Sequence, residues 1–83
     1  MDWLKLGKVK GSKNKKIIIN ALNKPKTPTE LSQELKIARS TCSSTLLELE
    51  TMQLVKCLTP ELKLGRLYQL TEEGEEIKKE IKL

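Results

Sequence analysis

The stretch TPTELSQELKIARSTCSSTLLELE, residues 27–50, decides the fold. Thr27 can cap a helix, Pro28 suits the first helical position because its missing amide hydrogen would be unpaired there anyway, and Glu30 closes a capping box. Leu31 and Leu35 lie at i and i+4, so this helix runs to about Leu35 with one buried edge. Lys36-Ile37-Ala38 leaves room only for a short turn, with Ile37 inserted as an apolar plug. A longer helix then begins near Arg39 and continues to about Met52. On a helical wheel Cys42, Thr45, Leu46, Leu49 and Gln53 fall on one side, Ser40, Ser44, Leu47 and Thr51 fall opposite, and Arg39 and Ser43 flank the outer face. Solvent-facing helix positions are normally filled by Glu, Lys or Gln, which favour helix better than Ser and Thr. The small, hydroxylated outer face therefore gives up helix propensity for another purpose, unless it is a neutral surface.

Working outward, Ser12 is an N-cap for a helix over residues 13–23, in which Ile17, Ile18, Ala21 and Leu22 form the apolar face. Lys24-Pro25-Lys26 stops it, because proline disfavours the α conformation in the residue before it. Residues 1–11 read as a basic lead-in in which Gly7 and Gly11 are expected to break any helix, while Trp3, Leu4, Leu6 and Val9 give it something to dock. Beyond Leu54 the apolar period changes from that of a helix to that of a strand, with Val55 and Cys57 on one run and Tyr68 and Leu70 on another. The segment 59–66 between them, with turn residues at both ends, is a long hairpin loop. Thr71 caps a last helix, Glu72 to about Lys82, acidic early and with Lys78, Lys79 and Lys82 late, as the helix dipole favours. Its apolar stripe is Ile77, Ile81 and Leu83.

The 83 residues carry fifteen Leu, six Ile and two Val but no Phe, enough for one small α+β domain over residues 12–83 behind the lead-in. No apolar run approaches a membrane span, and the start Met1-Asp2-Trp3 lacks the basic-then-apolar order of a signal peptide, so a soluble cytoplasmic protein is expected, without a membrane partner. There is no His, which removes the commonest general base and the commonest metal ligand together. Cys42 and Cys57 have no metal-ligand spacing, sit at apolar-patterned positions and are expected to be buried and reduced. The glycines Gly7, Gly11, Gly65 and Gly74 are scattered, so no phosphate loop is formed. The chain is therefore expected to be no enzyme, with no cofactor, no metal and no evident small-molecule ligand.

Charge is unevenly placed. The total of +5 comes from 16 basic and 11 acidic residues, and residues 1–26 hold eight Lys against Asp2 alone, net +7, whereas the rest is close to neutral. A block of this kind favours a polyanion, and a solvated lysine-rich face is the competing reading.

Two helices joined by three residues are a helix-turn-helix, and a strand hairpin after them is a wing. With Lys26-Thr27-Pro28-Thr29-Glu30-Leu31 and Leu35 opening the motif, Arg39-Ser40-Thr41 starting its second helix, Leu46-Leu47-Glu48-Leu49-Glu50 leading into Leu54-Val55, and Gly65-Arg66-Leu67-Tyr68 running into Leu70-Thr71-Glu72-Glu73-Gly74, the sequence resembles the winged helix-turn-helix regulators. It is most similar to the small MarR- and ArsR-like transcription factors of archaea and bacteria. The resemblance implies a three-helix core, a two-stranded wing and a C-terminal helix, and a sequence-specific regulator of double-stranded DNA. It places Arg39, Ser40, Thr41, Ser43 and Ser44 where such proteins face the major groove, and Lys63 and Arg66 on the wing, which tracks the backbone or enters the minor groove. Two positions depart from the pattern: Ala38 stands where a Ser cap is common, and Ser44 where a longer polar side chain is common.

Lys13, Lys15 and Lys16 are expected to neutralise phosphates without reading bases, joined by Thr27 and Thr29 at the helix start. Glu48 and Glu50 would repel the backbone, so only the N-terminal half of the second motif helix can enter a groove. Trp3, Leu4, Leu6, Ile77, Ile81 and Leu83 are left over as a seam for a symmetric homodimer, or else fold back on their own domain. The rival function is a winged helix that packs on another polypeptide, and it gains if Lys13, Lys15, Lys16, Arg39, Lys63 and Arg66 do not share one surface. A single-stranded or RNA binder is disfavoured, because Trp3 and Tyr68 are the only aromatic residues and stacking platforms need more.

Overall fold

The computed structural model describes residues 2–81. Five helices and one antiparallel hairpin make an α+β domain in the order α1 (Trp3–Lys10), α2 (Lys13–Ala21), α3 (Pro28–Leu35), α4 (Arg39–Thr51), β1 (Val55–Cys57), β2 (Tyr68–Leu70) and α5 (Glu72–Glu80). Lys82 and Leu83, placed at the end of the last helix and in the seam, lie outside the described residues.

The lead-in is helical, contrary to the expectation from Gly7 and Gly11. Asp2 supplies the cap, its carboxylate accepting from the amides of Leu4 at 3.1 Å and Lys5 at 3.2 Å, and Lys8 and Lys10 sit in the last turn where the dipole favours cations. An interior glycine costs a helix only about 0.5–1 kcal/mol. Burial of Leu6 and Val9 outweighs that, at roughly 1.5–3 kcal/mol for each large aliphatic side chain removed from water. Gly11 closes α1 and Ser12 caps α2, its hydroxyl accepting from the Lys15 amide, so two residues turn the chain between the helices.

Helix α2 ends at Ala21, two residues earlier than its apolar pattern implies, and its core side chains include Ile19 as well as Ile18 and Leu22. Ile19 escaped the single-face reading because α2 is packed from several sides, by α1, α3, α4 and α5. Helix α3 carries the expected capping box, with the Glu30 amide donating to Thr27 Oγ1 and the Thr27 amide donating to the Glu30 carboxylate. On α4 the residues Cys42, Thr45, Leu46 and Leu49 are buried as the wheel groups them. Gln53 is exposed instead, since the helix stops at Thr51 and Gln53 turns the chain with φ of 64°.

Strands β1 and β2 pair Val55 with Leu70, Lys56 with Gln69 and Cys57 with Tyr68. A third segment joins at one residue, Lys26, which forms an antiparallel bridge with Tyr68. The return into α5 is set by Leu54, whose carbonyl accepts from the Thr71 amide at 3.0 Å while Thr71 Oγ1 donates to the Gln53 carbonyl at 2.7 Å. Gly74, in the first turn of α5, lies against that same segment: a β-carbon there would stand 2.1 Å from the Leu54 carbonyl oxygen.

Both ends of the chain are drawn into one core. Leu6, Val9, Ile77 and Ile81 are buried with Ile18, Ile19, Leu22, Leu31, Leu46, Leu49, Leu54, Val55, Tyr68 and Leu70. Of the seam residues, then, Leu6, Ile77 and Ile81 fold back on their own domain, and Trp3 and Leu4 remain 69% and 78% exposed. A Lys5–Glu73 ion pair at 2.9 Å adds a surface link between α1 and α5.

The two helical glycines should respond to alanine in opposite directions. Gly7 has open space around it, so Gly7→Ala is expected to stabilise by about 0.5–1 kcal/mol. Gly74→Ala should destabilise by about 1–3 kcal/mol, because the obstacle is main chain and cannot rotate away. Urea unfolding of the two variants checks both, and equal effects would contradict the packing described.

Candidate nucleic-acid interface

Two local devices hold the turn between α3 and α4. Lys36 ends α3 in the left-handed conformation at φ of 57°, and Ser32 Oγ donates to the Ile37 carbonyl at 2.6 Å, which pins the turn. Ala38 precedes α4 without any side-chain cap, so the first amides of α4 are left for an outside acceptor. On the outer face Ser40 and Ser44 are exposed and Thr41 and Ser43 half-buried. Thr51 is the exception among these hydroxyls, donating back to the Leu47 carbonyl at 3.0 Å.

The hairpin loop is closed on itself. The Leu58 amide donates to the Leu67 carbonyl at 2.7 Å, the Leu67 amide to Thr59 Oγ1 at 3.0 Å and the Leu62 amide to the Thr59 carbonyl at 3.1 Å. Arg66 Nε donates to the Leu62 carbonyl, with a longer contact of 3.5 Å from the guanidinium to the Pro60 carbonyl. Gly65 makes the sharp corner at φ of 68°, a conformation that side chains other than glycine rarely adopt.

Lys26 ties that hairpin to the helices. Its amide donates to the Tyr68 carbonyl at 3.0 Å and its carbonyl accepts from the Tyr68 amide at 2.9 Å. Its side chain is buried, and Nζ donates to the Ala21 carbonyl at 2.8 Å and to the Glu34 carboxylate at 2.7 and 2.9 Å. One residue thus joins the end of α2, the outer side of α3 and the start of β2.

Between the loop, α3 and α4 lies a cleft of about 300 Å³, lined by Pro28, Thr29, Arg39, Ser43, Leu47, Lys63, Leu64, Gly65, Arg66 and Tyr68. Among the described residues three cations line it and no carboxylate does.

No family model matches the chain, and no curated protein sequence matches it. Among solved structures, that of a MarR family transcription regulator superposes with a TM-score of 0.75 at 27% sequence identity, over 84% of this chain and 48% of the other. The fold is a MarR-like winged helix. The chain spans about half the length of the regulator structure it matches.

In the winged helix, α3 and α4 are the helix-turn-helix and the loop between β1 and β2 is the wing. The residues expected at an interface divide into two groups. Thr29, Arg39, Ser43, Lys63 and Arg66 come together in the cleft. Ser40 and Ser44 share the exposed side of α4, and Thr27 lies at the start of α3, its hydroxyl oxygen engaged as the cap. The α2 lysines do not join this cleft. Lys15 Nζ pairs with Glu48 at 2.7 Å, next to Lys8, Gly11, Ser12, Thr51 and Met52. That site is near the far end of α4 from Arg39, roughly 14 Å along the axis at 1.5 Å per residue. Lys13 is exposed and Lys16 half-buried on the same first turns of α2. A charge block in sequence is thus divided in space, because Glu48 recruits one of its members.

Cys42 is fully buried, and burial pushes its thiol above the usual range. Cys57, expected to be buried as well, is only half-buried. Sequence reasoning did not single out Lys26, Ser32 or Leu64. The bonds of Ser32 follow from a turn geometry and those of Lys26 from tertiary contact, and neither has a local sequence signal.

Removing the Lys26 ammonium should loosen the wing without unfolding the chain. Lys26→Met is expected to cost about 1.5 kcal/mol, the low end for a charged hydrogen bond because the Glu34 side chain is half exposed. Faster hydrogen exchange at the Tyr68 amide would report the loosening directly. Unchanged exchange and stability would show that the main-chain bridge alone holds the wing.

Proposed function

We propose that this chain is a cytoplasmic, non-catalytic regulator of transcription that binds double-stranded DNA, with the N-terminal half of α4 in the major groove and the wing on the backbone or in the adjacent minor groove. The observation that carries the reading is the cleft in which Arg39, Lys63 and Arg66 meet with no carboxylate lining it. The matched structure is that of a MarR family transcription regulator, which agrees with it. Arg39 has the fork geometry to pair with guanine O6 and N7, Ser40, Thr41, Ser43 and Ser44 are short enough to let α4 approach base edges, and the uncapped amides of its first turn suit a phosphate. Leu47, half exposed one turn further on, is an apolar contact for a thymine methyl. Thr27, Thr29, Lys63 and Arg66 serve the backbone. Lys13 and Lys16 add to this at long range, and Lys15 least, being paired.

A single copy supplies one recognition helix, and successive major-groove faces on one side of the duplex lie about 34–36 Å apart. Two copies on an inverted repeat are therefore part of the proposal. With Leu6, Ile77 and Ile81 already buried, Trp3 and Leu4 are what α1 offers to the seam. Two features favour the rival reading of a protein-interaction module: the α2 lysines do not share the surface of Arg39, Lys63 and Arg66, and Leu47, Leu62 and Leu64 are exposed on or beside the same cleft.

Binding to a mixed-sequence duplex across a salt series separates the two. Two phosphates neutralised by Lys63 and Arg66 give log K falling against log salt with a slope of about −1.8 per copy. Arg39→Ala should relax preference at one base pair by about 1–3 kcal/mol and Lys63→Ala should reduce that slope by about one, whereas Lys15→Gln should change neither by much. Sedimentation of the saturated complex should show two 9.5 kDa chains per site. Absence of salt-dependent duplex binding by the folded chain would remove the DNA reading in favour of a polypeptide partner.

A further inference from the structure

Leu64 is 84% exposed, more than any other large apolar side chain among the described residues. Nothing in the fold needs a leucine there. It is not part of the core. It is nevertheless firmly presented. Gly65 makes the corner beside it, Arg66 clamps the loop through the Leu62 carbonyl, and Thr59 receives amides from both Leu62 and Leu67. The apex of the wing is therefore a preorganised point rather than a loose tip. Lys63 precedes Leu64, Arg66 follows it by two residues, and all three line the cleft with Arg39 and Ser43. Glu61, the loop's one carboxylate, is exposed and does not line the cleft.

A cationic loop with an apolar apex has a specific use against a duplex. Minor-groove edges offer hydrogen-bond acceptors that a leucine cannot satisfy, so the side chain gains nothing by lying against them. It gains by entering between two base pairs, where it is removed from water and the flanking cations rest on the phosphates either side of the opened step. We propose that Leu64 is an apolar wedge, inserted by the wing into the minor groove next to the major groove occupied by α4, and that it kinks the DNA away from the wing. This rests on the DNA-binding reading. The cheapest step to open is a pyrimidine–purine step such as TA or CA, so the inference also assigns the wing a sequence preference read through deformability rather than through hydrogen bonds.

The test is energy transfer between dyes at the two ends of a duplex of about 30 base pairs carrying a TA step, measured with the intact chain, Leu64→Ser and Leu64→Met, with thermal unfolding of each variant as the folding control. Both changes lie on an exposed side chain, so all three proteins should fold alike. The intact chain should shorten the end-to-end distance, Leu64→Met should do so as well, and Leu64→Ser should bind about tenfold more weakly and leave the duplex straight. A bend unaffected by Leu64→Ser, or a duplex that the intact chain binds and leaves straight, overturns the wedge while the DNA reading stands. No duplex binding by any of the three overturns both, and points to Leu62 and Leu64 as contacts for a polypeptide.

Discussion

The relation between the wing and the helix-turn-helix depends on Lys26. A two-stranded hairpin of three residues a side has little stability of its own in water and no fixed orientation to its neighbours. The bridge from Lys26 to Tyr68 gives β2 a second partner, and the buried ammonium between Ala21 and Glu34 fixes that partner to α2 and α3. A buried lysine that lacked those acceptors would be strongly unfavourable, so the side chain also specifies which way the segment between α2 and α3 must run. The cleft exists because this junction puts the loop of one element against the outer face of another.

A second junction closes the other side of the domain. Thr71 and Gly74 bring α5 directly onto the backbone at Gln53 and Leu54, and α5 in turn covers α2. Small domains bury a modest share of their surface, so the recruitment of Leu6, Val9, Ile77 and Ile81 from the two ends is a large part of the core. It also narrows what is left for assembly with a second copy. The exposed apolar surface is now at two places, Trp3 and Leu4 on α1 and the leucines around the wing, and the two call for different partners.

Elements whose cause is local were legible in the sequence. The capping box at Thr27 and Glu30, the buried Cys42, Thr45, Leu46 and Leu49 of α4 and the change of period after Leu54 all act over a few residues, and each appears where its residues put it, whereas α2 ends at Ala21, before Pro25 requires it to. The misses have non-local causes. Helix α1 formed despite Gly7 because Asp2 caps it and the core takes up Leu6 and Val9. Ile19 was left off the apolar face because one wheel cannot show that α2 is enclosed by several elements. Of the candidate interface, the types of residue were legible but not their grouping: Arg39, Lys63 and Arg66 are more than twenty positions apart at their widest and still meet, whereas Lys15 is held elsewhere by Glu48. Counting charge along the chain gives the sum of the field, and only folding gives its direction.

The central claim is that the cleft between the wing and α4, rather than the lysine-rich start of the chain, faces DNA. Amide chemical shifts of the isotope-labelled chain, followed through a titration with a mixed-sequence duplex, test it residue by residue. The account predicts the largest changes at Thr29, at residues 39–44 and at residues 63–66, with the first turns of α2 nearly still. Changes concentrated on α1 and the Lys13, Lys15 and Lys16 turns, with α4 and the wing unmoved, would contradict it.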